Sequence, residues 1–160
     1  MIREMRAADW DSVRDIYSCY LEKGTASFLT ECPTYEAWDS GHHRDCRFVY
    51  EQDGEVLGFV VLLPVSPRPH YSGVAEVSIY IREDCLHRGI GTALLMHMKE
   101  AARSHGYWTL YSSIFSVNTA SIALHEKCGF RNIGYREKLA KDRFGHWQDT
   151  TMMEWRNDLE

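Results

Sequence analysis

Apolar residues recur along this chain with two different periods. Between residues 8 and 21, Trp10, Val13, Ile16, Tyr17 and Tyr20 fall at helical spacing, which predicts an amphipathic helix with Asp9 as a candidate cap. Residues 34–45 read as a shorter helix with Thr34 as N-cap. Residues 90–105 read as a long amphipathic helix. Residues 118–130 read as another, stopped by Gly129 in the place of a left-handed residue past a helix end. From 47 onward the pattern becomes β-rich. RFVYE (47–51) and VLGFVVLLPV (56–65) flank Asp53-Gly54, a strong hairpin signal. Further strands are predicted at 2–5, 74–81, 107–114, 131–138 and 148–155, with a turn around 142–146. GTASFLTECPT (24–34) and the proline-punctuated SPRPHYSG (66–73) read as loops. The order β-α-α-β-β-β-α-β-α-β-β predicts a mixed α/β arrangement around one sheet.

Composition narrows the class. With 160 residues, 44% hydrophobic and 26% charged, the chain fits one domain, 1–160, with a core of its own. Its 18 Lys+Arg against 23 Asp+Glu give a net charge of −5, which argues against nonspecific nucleic-acid binding. Five cysteines, an odd number with no Cys-x-x-Cys pair, read as reduced thiols of a cytoplasmic protein. MIREMRAADW lacks the apolar stretch of a signal peptide, and no run is long enough to span a bilayer. No membrane partner is expected.

LHRGIGTALL (86–95) carries the first chemical signal. A helix N-terminus presents unsatisfied N–H groups and a partial positive charge, so it attracts anions. Gly89 and Gly91 allow bare backbone there, although a strand-to-helix turn can need glycine for its own reasons. A Walker loop would require Gly-Lys-Ser/Thr, which is absent. A dinucleotide fingerprint would require three glycines early in a βαβ repeat.

LHRGIG resembles the Gln/Arg-x-x-Gly-x-Gly/Ala loop of the GNAT acetyltransferase superfamily, with Leu86 at the usual Gln or Arg position. TASFLTECPTYEAWD (25–39), PRPHY (67–71), EVSIYI (76–81), NTASIALHEKCGF (118–130) and RFGHWQDTTMME (143–154) resemble successive stretches of the phosphinothricin and methionine sulfoximine N-acetyltransferases. The matches cover most of the chain in the correct order. They imply a GNAT fold: a single mixed, mostly antiparallel β-sheet with helices on both faces. They also imply transfer from acetyl-CoA to the α-amine of a small amino acid or analogue, within a ternary complex and in a homodimer.

Several residues acquire expected roles. Amide formation needs a neutral amine, so a base must remove its proton. Glu76, inside an apolar strand, is a candidate; by its residue pattern alone it could equally face solvent or sit in an ion pair. The resemblance places the general base there. It also implies His125 as proton donor to the leaving thiolate, where many relatives carry Tyr, and a pantetheine contact for Asn118, which otherwise reads as a helix N-cap. Backbone of Ile79, Tyr80 and Ile81 is expected to grip the pantetheine arm. His87, Arg88, Gly89, Ile90, Gly91 and Thr92 are expected around the pyrophosphate. Phe28, Arg68 and Tyr71 are the expected substrate contacts, with Arg68 suited to a carboxylate. Trp147 reads as core or interface.

Cys85 with His87, and His42-His43 with Cys46, have faint metal spacings but no closed ligand set, so no metal is expected. Three other readings compete: an acetyltransferase for protein N-termini, one for polyamines, and a non-catalytic acyl-CoA-binding module. The module would tolerate loss of Glu76 and His125, both of which are present.

Overall fold

The β-rich runs pair into one seven-stranded sheet in the order β1-β2-β3-β4-β5-β7-β6. The structure, a computed structural model, describes residues 1–158. The strands are β1 (Ile2–Glu4), β2 (Phe48–Gln52), β3 (Glu55–Pro64), β4 (Val74–Ile81), β5 (Thr109–Phe115), β6 (Arg131–Lys141) and β7 (Trp147–Arg156). Four α-helices join them: α1 (Trp10–Lys23), α2 (Tyr35–Gly41), α3 (Ile90–Ser104) and α4 (Thr119–Lys127). The expected order of elements is therefore present, with one mixed, mostly antiparallel sheet. Among the described residues no helix is long and apolar enough to cross a membrane.

Local signals explain most boundaries. Asp53 (φ 53°) and Gly54 (φ 80°) are both left-handed, as a two-residue hairpin turn matching strand twist requires. Thr34 Oγ1 accepts the Ala37 N–H at 3.2 Å and Asn118 Oδ1 accepts the Ser121 N–H at 3.2 Å, so both cap their helices. Gly129 is left-handed (φ 88°) just beyond α4. Two expectations need correction. Asp9 does not cap α1 with its side chain; its carboxylate takes two bonds from the Arg3 guanidinium, each 2.8 Å, and the Arg6 N–H. The helix expected over 34–45 stops at Gly41, where the chain turns extended at His42 and the imidazole stacks on Trp38 at 4.4 Å.

Helices cover both sheet faces. Val13 and Ile16 of α1 and Trp38 of α2 pack on Val49, Val56, Phe59 and Val61. On the opposite face Leu94, Leu95, Met98 and Ala102 of α3 pack on Val60, Leu62, Val77, Leu110 and Met153. β3 lies between both layers, so it is buried continuously from Val56 to Val61 and beyond, and alternation disappears from its sequence.

One pairing sets the later geometry. β4 and β5 run parallel for three pairs, Val74 with Thr109, Ala75 with Leu110 and Glu76 with Tyr111. Past Glu76 they separate. β4 stays on β3 through Ile81, while β5 stays on β7 through Phe115.

Gly73 starts this parallel segment: its carbonyl accepts the N–H groups of Trp108 (2.8 Å) and Thr109 (3.2 Å). A Cβ on Gly73 would fall 2.0–2.4 Å from the Trp108 indole. Gly73→Ala should therefore cost about 1–3 kcal/mol, read as a lower Tm, because the ring has to move. Gly41→Ala is the comparison: a Cβ there meets nothing within 4 Å, so stability should hold or rise slightly.

Candidate active site

The parting of β4 and β5 opens a cleft of about 790 Å³. Its walls come from Glu76–Ile81 of β4, Ser112–Phe115 of β5, the turn entering α3, one face of α4, and residues 26–29 with Tyr17 and Tyr20. The β4 edge facing the gap is unpaired. Arg82 N–H bonds Leu57 O in β3 at 2.8 Å. Backbone direction alternates along a strand, so Tyr80 and Ser78 also face β3, while Ile79 and Val77 turn their amide groups to the gap. Ile81 O is taken by the Tyr20 hydroxyl at 2.6 Å, which pins the far end of β4 to α1.

The two glycines of the turn have separate reasons. Gly89 has φ 80°, and a Cβ there would meet no neighbour within 4 Å, so conformation demands the glycine. Gly91 lies within α3, where a Cβ would stand 3.1 Å from Leu124 of α4. Its role is close approach of the two helices. No side chain caps α3, so its first N–H groups remain free at the cleft. His87 is also left-handed (φ 61°). Ile90 is buried and offers backbone rather than side chain. Leu86, half exposed, adds an apolar surface where a cation or amide would extend.

Glu76 sits at the fork, on the last β4–β5 pair. Among the described residues no cationic side chain pairs with its carboxylate, and burial alone raises its pKa above the ordinary 4.5. His125 is 1% exposed. Its Nδ1 is 2.7 Å from Ser121 O, and a carbonyl only accepts, so Nδ1 carries the hydrogen. Burial lowers its pKa below 6.5. The ring is therefore neutral near pH 7, with the Nε2 lone pair buried and without a hydrogen-bond partner in the protein. In the resting protein the imidazole therefore presents an acceptor at Nε2. Thr150 Oγ1 is likewise buried without a partner at the same cleft.

Phe28 lies against Phe115, ring centroids 4.7 Å apart, and lines the cleft. Tyr80 is enclosed by Tyr17, Tyr20 and Phe59, and burial pushes its phenol far above the usual range. Arg143, from the turn between β6 and β7, donates to Leu21 O at 2.9 Å and to Thr30 O at 3.5 Å, and so ties that turn to the last turn of α1 and to the 24–34 loop.

Most expected residues meet at this cleft: Phe28, Glu76, Ile79, Tyr80, Ile81, His87, Gly89, Ile90, Gly91, Thr92, Asn118 and His125. Three stand outside its wall. The Arg88 guanidinium turns to Cys85 Sγ (3.4 Å) and Gln52 Oε1 (3.5 Å). Arg68 and Tyr71 are exposed around a short 3-10 turn before β4. No guanidinium among the described residues lines the cleft. Lys127, Ser112, Ser113 and Thr150 line it without having been expected. Lys127 could have been found by extending the helical face of Asn118, Ser121 and Leu124 by one step. The other three depend on strand pairing that local sequence does not reveal. Trp147 is 55% exposed, so it is not core.

Comparison with known proteins matches this architecture. The model of the acetyltransferase (GNAT) family matches residues 10–130. An L-methionine sulfoximine/L-methionine sulfone acetyltransferase of Pseudomonas paraeruginosa is 32% identical, over 96% of this chain and 92% of its own. A phosphinothricin acetyltransferase from Sinorhizobium meliloti, solved in complex with AcCoA, superposes with TM-score 0.87 at 25% identity, covering 98% of this chain and 87% of its own. A ribosomal-protein-alanine N-acetyltransferase from Brucella melitensis superposes with TM-score 0.90 at 29% identity, covering 98% and 99%. With its forked sheet, its free α3 N-terminus and a family match over most of its length, the chain belongs to the GNAT family of acetyltransferases, and is a GNAT-type N-acetyltransferase.

Proposed function

We propose that this protein, a single cytoplasmic domain, acetylates the α-amine of a small amino acid or analogue, of the phosphinothricin or methionine sulfoximine type. Acetyl-CoA is its cosubstrate and transfer is direct, in a ternary complex. The observation that carries the proposal is Glu76, an unpaired carboxylate made more basic by burial, standing where the β4–β5 fork opens.

The residues present fit acetyl-CoA. The uncapped α3 N-terminus, with His87, Gly89, Ile90, Gly91 and Thr92 around it, suits a pyrophosphate. The unpaired β4 edge at Ile79 suits the amides of a pantetheine arm, with Asn118 across the cleft. When bound, the cosubstrate supplies a thioester carbonyl to an incoming amine. Glu76 removes the proton of that amine, directly or through a water. His125 Nε2 accepts a hydrogen bond, and delivers a proton to the departing sulfur only after first taking one up. Phe28 and Phe115 wall the acceptor end.

The proposed assembly is a homodimer. Ile133, Tyr135, Leu139 and Trp147 are exposed large hydrophobic side chains of the β6–β7 hairpin, which a second copy would cover. The proposed carboxylate contacts, Arg68 with Tyr71, then reach the acceptor from outside one chain's cleft wall.

A second reading is favoured by one observation. The cleft of a single chain presents no guanidinium to an α-carboxylate. The N-terminus of a protein offers the amine without that carboxylate, which fits acetylation of N-terminal residues. A polyamine fits less well, because among the described residues Glu76 is the only acid in the lining.

CoA release at pH 8 across methionine sulfoximine, phosphinothricin, common amino acids, spermidine and an alanine-initiated peptide separates these readings. Turnover of the amino-acid analogues supports the first; turnover of the peptide alone replaces it with the second. Binding of acetyl-CoA without turnover of any amine leaves the acyl-CoA-binding module. Glu76→Gln should lower kcat by about 10²-fold or more while acetyl-CoA affinity holds, measured by calorimetry.

The same substitution has a stability signature. Because the native pKa of Glu76 is raised, the folded state holds its proton more tightly than the unfolded chain. That advantage is present below 4.5 and is lost as pH rises through the higher native value. Glu76→Gln should therefore raise Tm at pH 8 relative to the parent, with a smaller gain at pH 4. For His125 the native pKa is lowered. The stability of burying the neutral ring is complete above 6.5 and is lost as pH falls through the native value. His125→Gln should flatten the decline of Tm between pH 7 and pH 5.

A further inference from the structure

Away from the cleft, three side chains able to ligate a metal converge from two distant segments. Asp45 and Cys46 lie in the turn between α2 and β2, and His105 follows the last residue of α3. One ligand atom from each lies within 4.8 Å of the other two. None of the three lines the cleft. The sequence pattern around His42, His43 and Cys46 had offered no closed set. The fold removes His42, whose Nδ1 goes to Trp38 O at 2.6 Å, and supplies His105 from far along the chain.

Two of the three ligands are already oriented. His105 Nδ1 lies 2.8 Å from Ala101 O, which only accepts, so the hydrogen is on Nδ1 and the Nε2 lone pair is left for an ion. Asp45 Oδ1 accepts the Tyr107 hydroxyl at 2.9 Å, which fixes the carboxylate and leaves Oδ2. This is the outer-shell pattern that sets ligand direction in metal sites. Cys46 is 5% exposed, so its sulfur lies at the inner edge of the cluster. Beside the same Tyr107 ring, 5.5 Å away, stands His43, whose Nε2 is buried and has no hydrogen-bond partner.

We propose that Asp45, Cys46 and His105 form a binding site for Zn²⁺ that clips the α2–β2 turn to the end of α3. The donor set decides the metal class. One thiolate and one imidazole suit a borderline-soft dication, and neither suits Ca²⁺ or Mg²⁺. One carboxylate and one thiolate balance the charge of the ion. On binding, a metal–sulfur bond forms as the thiol proton passes to solvent, and a water completes the fourth position. No oxidation state changes. The clip would hold together segments far apart in sequence and would stabilise the fold without touching the acetyl-transfer site.

The test uses Co²⁺ as a spectroscopic stand-in for Zn²⁺ on the purified, chelator-treated chain. A thiolate-to-Co²⁺ charge-transfer band should grow to one equivalent and be displaced by Zn²⁺, and stoichiometric Zn²⁺ should raise Tm. Cys46→Ser should abolish the band. His105→Gln, an exposed change that leaves the core intact, should weaken Co²⁺ binding by about tenfold or more. Cys128→Ser, at a buried thiol outside the cluster, should leave the band in place. Absence of the band from the parent chain, or unchanged Co²⁺ affinity in His105→Gln, overturns the proposal. The readouts do not involve acetyl transfer, so they are independent of the function assigned above.

Discussion

The site depends on a hydrogen-bonded ladder that stops early. β4 and β5 share three parallel pairs and then part, each kept straight by a different antiparallel neighbour. Neither neighbour can be given up cheaply. β3 is buried on both faces by α1, α2 and α3, so β4 cannot follow β5, and β5 is paired with β7 along its whole length. The result is a wedge in the middle of a sheet, where unpaired backbone is available without exposing an outer edge to aggregation. The candidates that line the cleft take their places along that wedge. Glu76 is at the apex, Ile79 along one side, and Phe115 with its Phe28 partner on the other.

Burial at the fork acts on two titratable groups in opposite senses. It raises the carboxyl pKa of Glu76 and lowers the imidazole pKa of His125, because in each case water is withdrawn from the charged form. Neither group is rescued by an ion pair. Both are thereby brought nearer neutrality, Glu76 as a stronger base and His125 as an uncharged acceptor. The fold braces the cleft through further contacts, including the Tyr20 bond to Ile81 at its wall and the Arg143 bond to Leu21. Those ties cross from α1 to β4 and from the β6–β7 turn to the last turn of α1. The cleft therefore inherits rigidity from both halves of the sheet.

Signals confined to a few consecutive residues were legible in the sequence. Asp53-Gly54, Thr34, Asn118 and Gly129 each do what their local chemistry dictates. The apolar run around Glu76 left open whether its carboxylate faces solvent, sits in an ion pair or is desolvated; in the fold it is partly buried, and that burial raises its pKa. What failed depended on direction or on distant chain. Arg88 is next to Gly89 in sequence, yet its side chain leaves the cleft for Cys85 and Gln52. Arg68 and Tyr71 belong to a loop whose path nothing in PRPHY specifies. Gly91 looked like room for a ligand; it does line the cleft, and its missing side chain also makes room for Leu124, which the local sequence does not reveal. The His105 contribution to the Asp45–Cys46 cluster was invisible for the same reason, since only the packing of α3 across the sheet brings it there.

The missing guanidinium bears directly on what the enzyme can recognise. A free amino acid brings a carboxylate that, moved into a site shielded from water, needs a compensating charge close by. Glu76 worsens that demand, because it adds a negative charge once it is ready to accept a proton. Within one chain the basic side chains of the lining are His87, His125 and Lys127. His125 is buried as the neutral form, and Lys127 is on α4 with the surfaces assigned to the cosubstrate. Lys127 is the one ammonium of the lining among the described residues, and the expected guanidinium, Arg68, is held on an exposed loop outside the wall. On the amino-acid reading proposed above, a contribution from Arg68 would therefore need a surface beyond this cleft wall. On the second reading proposed above, a peptide N-terminus brings no such carboxylate and makes no such demand.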